Sequence, residues 1–353
     1  MRYKILRLRI LPVLIVTFIL VLLIINPKPC REGAVSGLLL CGRVIIPSLF
    51  PFTFCVLFIM KSGILEKIGF LRPVTEKIFG LSPFLFLLVI MSFLGGYPVG
   101  AKLLNNCVAE KRLDPHTAGM MLNFCINAGP GFVIAAVGSG ILGSQILGVI
   151  LLLSHIFASF VLWIMSRLFF KPVKTGNFKN SSLSPAENFV LSVSESASSV
   201  MSICSFVILF SAINSYIEFF SQKYSNLKFL TFLTEITNAI TKTNNIYSIS
   251  FLLGFGGLCV WCQIIALANN IKIRPLNFVI FRILHGTLSC IFTYLILNIF
   301  NITVPTLSNG KNFHFNLLYS SPSVAISLLI MCIIFIISIS SKKIAGKITE
   351  DML

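Results

Sequence analysis

The residues most capable of chemistry in this chain stand inside apolar sequence. In "SFLGGYPVGAKLLNN", Ser92 to Asn106, Gly95, Gly96 and Gly100 surround Tyr97 and Pro98, and Lys102 follows about one helical turn later. Glycine adopts backbone conformations that other residues resist, and proline, lacking an N–H, suits the first turn of a helix. One half-helix is therefore expected to end at the glycines and another to start near Pro98. The amides of such an N-terminus favour a carboxylate or phosphate, and Lys102 would add a full positive charge. The plain alternative is a packing kink, with Lys102 snorkelling to the membrane interface.

Two further stretches carry the same kind of signal. "NAGPG", Asn127 to Gly131, interrupts the next apolar segment, with Gly129 and Gly131 flanking Pro130 and Asn127 offering both donors and an acceptor. A proline kink is the alternative. In "TEITNA", Thr234 to Ala239, Glu235 is one of only eleven acidic residues. A charge at the centre of a membrane helix costs roughly 2.5–3.5 kcal/mol on insertion scales, so Glu235 is a candidate to take up a proton, bind a coupling cation or pair with Lys102. Thr234, Thr237 and Asn238 add neutral hydrogen-bonding groups; an interfacial glutamate near water is the competing reading. Gln263 is a lesser candidate. His155 and His285 could titrate near neutral pH, although a satisfied histidine between helices is the commoner arrangement.

The elements that hold these residues follow from composition. Of 353 residues 56% are hydrophobic and 11% charged, with mean hydropathy +0.94, against about 25% charged in soluble domains. A bilayer core of about 30 Å needs about 20 apolar helical residues. Ile10–Ile25, Leu38–Met60, Gly119–Val137, Ile141–Phe170, Phe189–Phe220, Ile249–Leu267, Leu276–Phe300 and Val324–Ser340 qualify or nearly so. The expectation is an all-α, polytopic membrane protein with about eight spanning helices plus two re-entrant hairpins.

The net charge of +17 fits membrane topology better than nucleic-acid binding. Arg2, Lys4, Arg7 and Arg9 precede the first span, Lys171, Lys174 and Lys179 follow Phe170, Lys272 and Arg274 follow Asn270, and Lys342, Lys343 and Lys347 follow the last span. Basic residues collect in cytoplasmic loops, and cytoplasmic N- and C-termini put all four groups on that side. The sequence "NPKPCREG" after the first span lacks a small-residue cleavage pattern, so a retained helix is expected. Cys259 and Cys262 form a C-x-x-C within one helical turn, with no second pair at zinc spacing, so no metal or cofactor is expected. Walker A, H-E-x-x-H and G-x-S-x-G patterns are absent from the sequence, and no enzymatic activity is expected.

A weak internal repeat organises the chain. Residues 1–32 form an N-terminal helix, 33–171 a first copy with its hairpin near 83–110, 172–187 a linker, 188–301 a second copy with its hairpin near 227–243, and 302–353 a loop, last helix and basic tail. Each copy runs long helix, interrupted segment, glycine-broken helix and closing span with one histidine. If both interrupted segments are re-entrant, the copies are inverted in the membrane, a recurring build of secondary transporters.

At "FLGGYPVGAK", "NFCINAGPGFVIAAVG" and "FLTEITNAI" the sequence resembles the YlbJ-type sporulation integral membrane proteins of endospore-forming bacteria. These are placed in the nucleoside-recognition, or Gate-domain, superfamily related to concentrative nucleoside transporters. The resemblance covers roughly residues 36–301. It implies movement of dipicolinate across the mother-cell-derived outer forespore membrane, two opposed re-entrant hairpins beside broken helices, and a site at Tyr97, Pro98, Lys102, Asn127, Glu235 and Asn238. Pyridine-2,6-dicarboxylate is a planar dianion. A helix N-terminus with Lys102 could bind one carboxylate, Tyr97 stack on the ring and Asn127 reach the other. A transporter of nucleosides or another small carboxylate, and a non-transporting membrane scaffold, are the alternatives. The expected partners are a small anionic metabolite, the lipid bilayer, and a second copy or other sporulation membrane proteins, with no nucleic acid.

Overall fold

A computed structural model describes residues 2–67, 70, 72–167, 184–241, 243 and 245–302. The expected span at 324–340, the basic tail and most of the 172–187 linker lie outside the described residues. Among the described residues the elements are helices, without a strand. Five stretches are long and apolar enough to cross a membrane: Pro27–Lys61, Gln145–Arg167, Pro185–Ser221, Ile246–Leu267 and Pro275–Ile299. The chain is an all-helical integral membrane protein.

Helix α1 covers Arg2–Ile25 and α2 Pro27–Lys61. Within α2 a π-helical turn, Cys41–Ile45, widens the backbone just before Pro47, where a proline ring crowds the preceding turn. Helices α3, Pro83–Gly95, and α4, Tyr97–Ala109, meet at Gly96. A Cβ on Gly100 would lie 2.9 Å from the Ser92 Cβ, so the two fold back on each other as a hairpin. The apolar segment Gly119–Val137 is interrupted at the NAGPG stretch, as two half-helices, α5 at Pro115–Cys125 and the π-helical α6 at Gly131–Ile141. Helix α7, Gln145–Arg167, closes this first set.

The same order returns. Helix α8, Pro185–Ser221, starts at a capping box in which Ser184 and Glu187 satisfy each other's backbone. Helices α9, Lys228–Thr234, and α10, Ile236–Thr241, form a shorter hairpin turning at Glu235. Helices α11, Ile246–Phe255, and α12, Gly257–Leu267, are separated at Gly256, and α13 is Pro275–Ile299. The long helices have 35 and 37 residues and the closing helices 23 and 25.

Equivalent helices run antiparallel. Along α2 and α8, Gly33 packs on Ala212, Gly37 on Ile208, the Cys41 thiol reaches the Cys204 carbonyl at 3.7 Å, and Asn188 donates to the Phe58 carbonyl at 3.2 Å. Between α7 and α13, Ser289 meets His155 at 3.2 Å and Ser159 meets His285 at 3.4 Å. Small residues let these backbones approach, as in other helix pairs within lipid. One end of the bundle carries Lys61, Lys77, Lys111, Arg112, Arg167, Lys272 and Arg274; Lys28, Arg31 and Lys223 lie at the other.

Two stability predictions follow. A Cβ on Gly37 would sit 2.9 Å from the Ile208 Cα, whereas one on Gly140 meets only the Ala135 carbonyl at 3.5 Å. Gly37→Val is expected to cost about 1–3 kcal/mol through overpacking and Gly140→Ala far less, read from thermal unfolding in detergent. Asp114 caps α5, accepting from the His116 and Thr117 amides at 3.0 Å each. Partial burial pushes its carboxyl up, but hydrogen bonds to Thr117 and His116 outweigh this and hold it below the usual range. A depressed folded-state value means the cap contributes fully above the ordinary aspartate pKa and fades as pH falls through the lower one. Asp114→Ala should therefore cost about 1 kcal/mol at pH 7, and the difference should narrow below about pH 4.

Candidate functional site

Both hairpin turns rest on a helix break. Gly96 has φ +86° and ψ −178°, a conformation open to glycine and closed to side-chain-bearing residues. A Cβ there would lie 3.1 Å from the Gly129 nitrogen, so the first turn touches the "NAGPG" break directly. In the second set a Cβ on Gly257 would lie 3.2 Å from the Leu233 carbonyl, placing the α9–α10 turn against the α11–α12 break. All four features border one small space of about 50 Å³, whose lining includes Gly96, Tyr97, Gly129, Glu235, Thr237, Cys259 and Gln263.

The helix ends around this cavity are treated unequally. A broken helix leaves carbonyls at one end and amides at the other without intrahelical partners. Arg282, 1% exposed on α13, donates to the Asn123 carbonyl at 2.6 Å and the Ile126 carbonyl at 2.7 Å, closing the carbonyl end of α5. On α11, the Tyr97 hydroxyl donates to the Leu253 carbonyl and the Trp261 indole to the Phe255 carbonyl at 2.8 Å. The carbonyl ends of α5 and α11 are thus covered by side-chain donors. The starts of α4, α6 and α12 face the cavity through Gly96–Pro98, Phe132 and Cys259, and α4 has no side-chain cap. The arrangement leaves positive helix potential directed at one small space.

The remaining expected residues divide by position. Gly95 and Gly100 serve close packing: a Cβ on Gly95 would meet the Val99 side chain across the turn, and one on Gly100 would lie 2.8 Å from the Cys125 carbonyl at the end of α5. Pro130 initiates α6. Asn127 is buried, with its Oδ1 accepting from Ser159 at 2.9 Å, and its Nδ2 has no partner among the described residues. Thr234 donates to Asn214 Oδ1 at 2.8 Å. Glu235, 1% exposed, accepts from the Thr237 amide at 3.0 Å, which removes the expected alternative of a water-facing glutamate in this conformation. Asn238 lies on α10, and its side chain is outside the described residues. His155 and His285 meet with ring centroids 5.4 Å apart, and Ser159 joins His285 to Asn127.

Lys102 lies toward the basic end of the bundle, beside Lys61 at Glu195. It is absent from the cavity lining. Its ammonium donates to the Glu195 carbonyl at 3.1 Å and Ser199 Oγ at 2.7 Å, with the Glu195 carboxylate at 3.9 Å. Lys61 binds the same carboxylate. The two lysines tie α4 and the end of α2 to α8.

Sequence reasoning passed over Arg282, although a guanidinium inside "NFVIFRILHG" carried the same buried-charge signal that drew attention to Glu235. Removing it leaves two buried carbonyls unpaired, each costing on the order of 1–3 kcal/mol. Arg282→Leu is expected to lower thermal stability sharply. Arg282→Lys should recover part of it, because an ammonium can donate but cannot span both carbonyls as a planar fork does.

No family model matches the chain, and no solved structure matches it. It is similar to the sporulation integral membrane protein YlbJ of Bacillus subtilis (strain 168), with 24% identity over 327 residues, covering 79% of this chain and 80% of that protein. The likeness spans both hairpins and both helix breaks. It supports a YlbJ-type assignment and is consistent with a sporulation role in the membrane.

Proposed function

We propose that the chain is a sporulation-associated transporter that moves a small carboxylate by alternating access, with dipicolinate as the leading cargo and the outer forespore membrane as its site. In this reading the basic end and both termini face the mother-cell cytoplasm. The observation that carries it is the convergence of three helix starts on one cavity while the carbonyl ends of α5 and α11 are covered by Arg282, Tyr97 and Trp261. Positive potential at the midplane selects an anion. A cavity of about 50 Å³ is too small for an aromatic ring, so it corresponds to a closed site that must widen as the two turns part.

Glu235 then has a defined task. A dianion beside an ionised carboxylate is repelled strongly in a low-dielectric interior, so cargo would travel with a proton or cation held at Glu235. Tyr97 supplies an aromatic face, and the Asn127 amide a further donor. A nucleoside is the second reading, favoured by the neutral groups Thr237 and Gln263 at the same cavity.

The test is uptake of labelled dipicolinate into vesicles holding the purified full-length protein, with nucleosides as competitors. Saturable uptake is expected. Asn127→Ala should reduce it by about tenfold or more, the equivalent of about 1.4 kcal/mol, at normal protein accumulation. Glu235→Gln should remove its dependence on an imposed proton or cation gradient. Inhibition by nucleosides without dipicolinate uptake would change the cargo. No uptake of either by folded protein under any gradient would favour the scaffold.

A further inference from the structure

A file of buried polar side chains runs from the contact between α7 and α13 to the first helix break. The two closing helices carry the same short pattern, a histidine followed four residues later by a serine: His155 and Ser159 on α7, His285 and Ser289 on α13. Because these helices run antiparallel, each histidine meets the serine of the other, and all four residues are fully buried. The exchange is not symmetric in its reach. Ser159 goes on to the Asn127 side chain, in the break between α5 and α6.

Hydrogen-bond chemistry fixes the direction of each step. His285 Nε2 lies 3.2 Å from the His155 carbonyl. A carbonyl can only accept, so that nitrogen carries a proton. Ser159 Oγ, 3.4 Å from the same nitrogen, therefore faces an N–H that cannot take its proton. The serine instead donates to Asn127 Oδ1 at 2.9 Å. An amide turned the other way would leave the Ser159 hydroxyl between two N–H groups, neither able to accept from it. The Asn127 oxygen is thus occupied, while its Nδ2 is buried and has no partner among the described residues. A buried N–H without an acceptor is costly and marks a position that a ligand or water would satisfy.

We propose that His285 is a positioning residue: through Ser159 it holds Asn127 as a hydrogen-bond donor at the helix break, so that the site takes cargo presenting acceptor oxygens, such as a carboxylate, and discriminates against an N–H group there. The orientation stands on the hydrogen bonds; its use in selecting cargo rests on the transporter reading above. Asn127 stands two residues before Gly129, which borders the space between the hairpin turns, and becomes reachable as the turns part.

The test has a spectroscopic arm that needs no cargo. Solid-state NMR of the full-length protein, carrying 15N-labelled histidine and held in lipid vesicles at neutral pH, reads which ring nitrogens bear protons. The His285 signals are those missing from His285→Gln. A protonated Nε2 is expected, and a bare Nε2 overturns the proposal. Binding of labelled dipicolinate to the purified, monodisperse protein supplies the second arm. Ser159→Ala and Asn127→Ala should each weaken it about tenfold, and the double variant by no more than about twofold beyond either, because both remove the same oriented donor. Glutamine places an amide N–H near the Nε2 position and asparagine near Nδ1. His285→Gln should therefore bind within about twofold of the parent, and His285→Asn should lose as much as Ser159→Ala. Losses that multiply in the double variant, or equal binding by His285→Gln and His285→Asn, overturn the proposal. A protonated Nε2 in a protein that binds no dipicolinate supports the orientation and removes the dicarboxylate assignment instead.

Discussion

Backbone groups freed inside a membrane must find partners, and that constraint shapes the centre of this protein. Hydrocarbon offers no hydrogen bonds, so irregular backbone survives at membrane depth only where protein or water covers it. Breaking α5 from α6 and α11 from α12 releases carbonyls that Arg282, Tyr97 and Trp261 then cover. Two of these donors come from the other copy of the repeat: Arg282 on α13 serves the first break, and Tyr97 on the first hairpin serves the second. Each half thus completes the other's interrupted helix. The starts of α4, α6 and α12 face the same central space.

The conformation is asymmetric even though the architecture is pseudo-symmetric. At the basic end, Lys61 and Lys102 hold α2, α4 and α8 together through Glu195 and Ser199. Toward the other end, a groove lies between α2 and α6. The second hairpin, of 7 and 6 residues, is about half as long as the first, of 13 and 13. A shorter hairpin fills less of its end of the bundle, leaving room for the groove there. The bundle is thus fastened at its basic end and grooved between α2 and α6 toward the other.

Much of this was legible in the residues. Glycines and prolines do not sit idly in apolar segments, so the turns at Gly96 and Glu235 and the breaks at Asn127–Gly131 and Gly256 could be read as interruptions, and the histidines as matched positions. What could not be read was partnership across the fold. Lys102 is drawn to Glu195, 93 residues away in sequence, because a buried ammonium takes the nearest carboxylate and hydroxyl, and no local pattern encodes that. Arg282 was hidden for a related reason: a single guanidinium in an apolar helix announces a cost but not the carbonyls that compensate it. Antiparallel packing of α2 on α8 and of α7 on α13 likewise depends on contacts between distant small residues.

The central claim is that cargo occupies the space between the two hairpin turns. The most direct measurement is a cryo-electron microscopy structure of the full-length protein in lipid nanodiscs with saturating dipicolinate. The account predicts planar density between Gly96–Tyr97 and Glu235, with the turns moved apart and the cavity enlarged from about 50 Å³ to hold the ring. Ligand density confined to another part of the molecule, with the two turns still closed on each other, would contradict it.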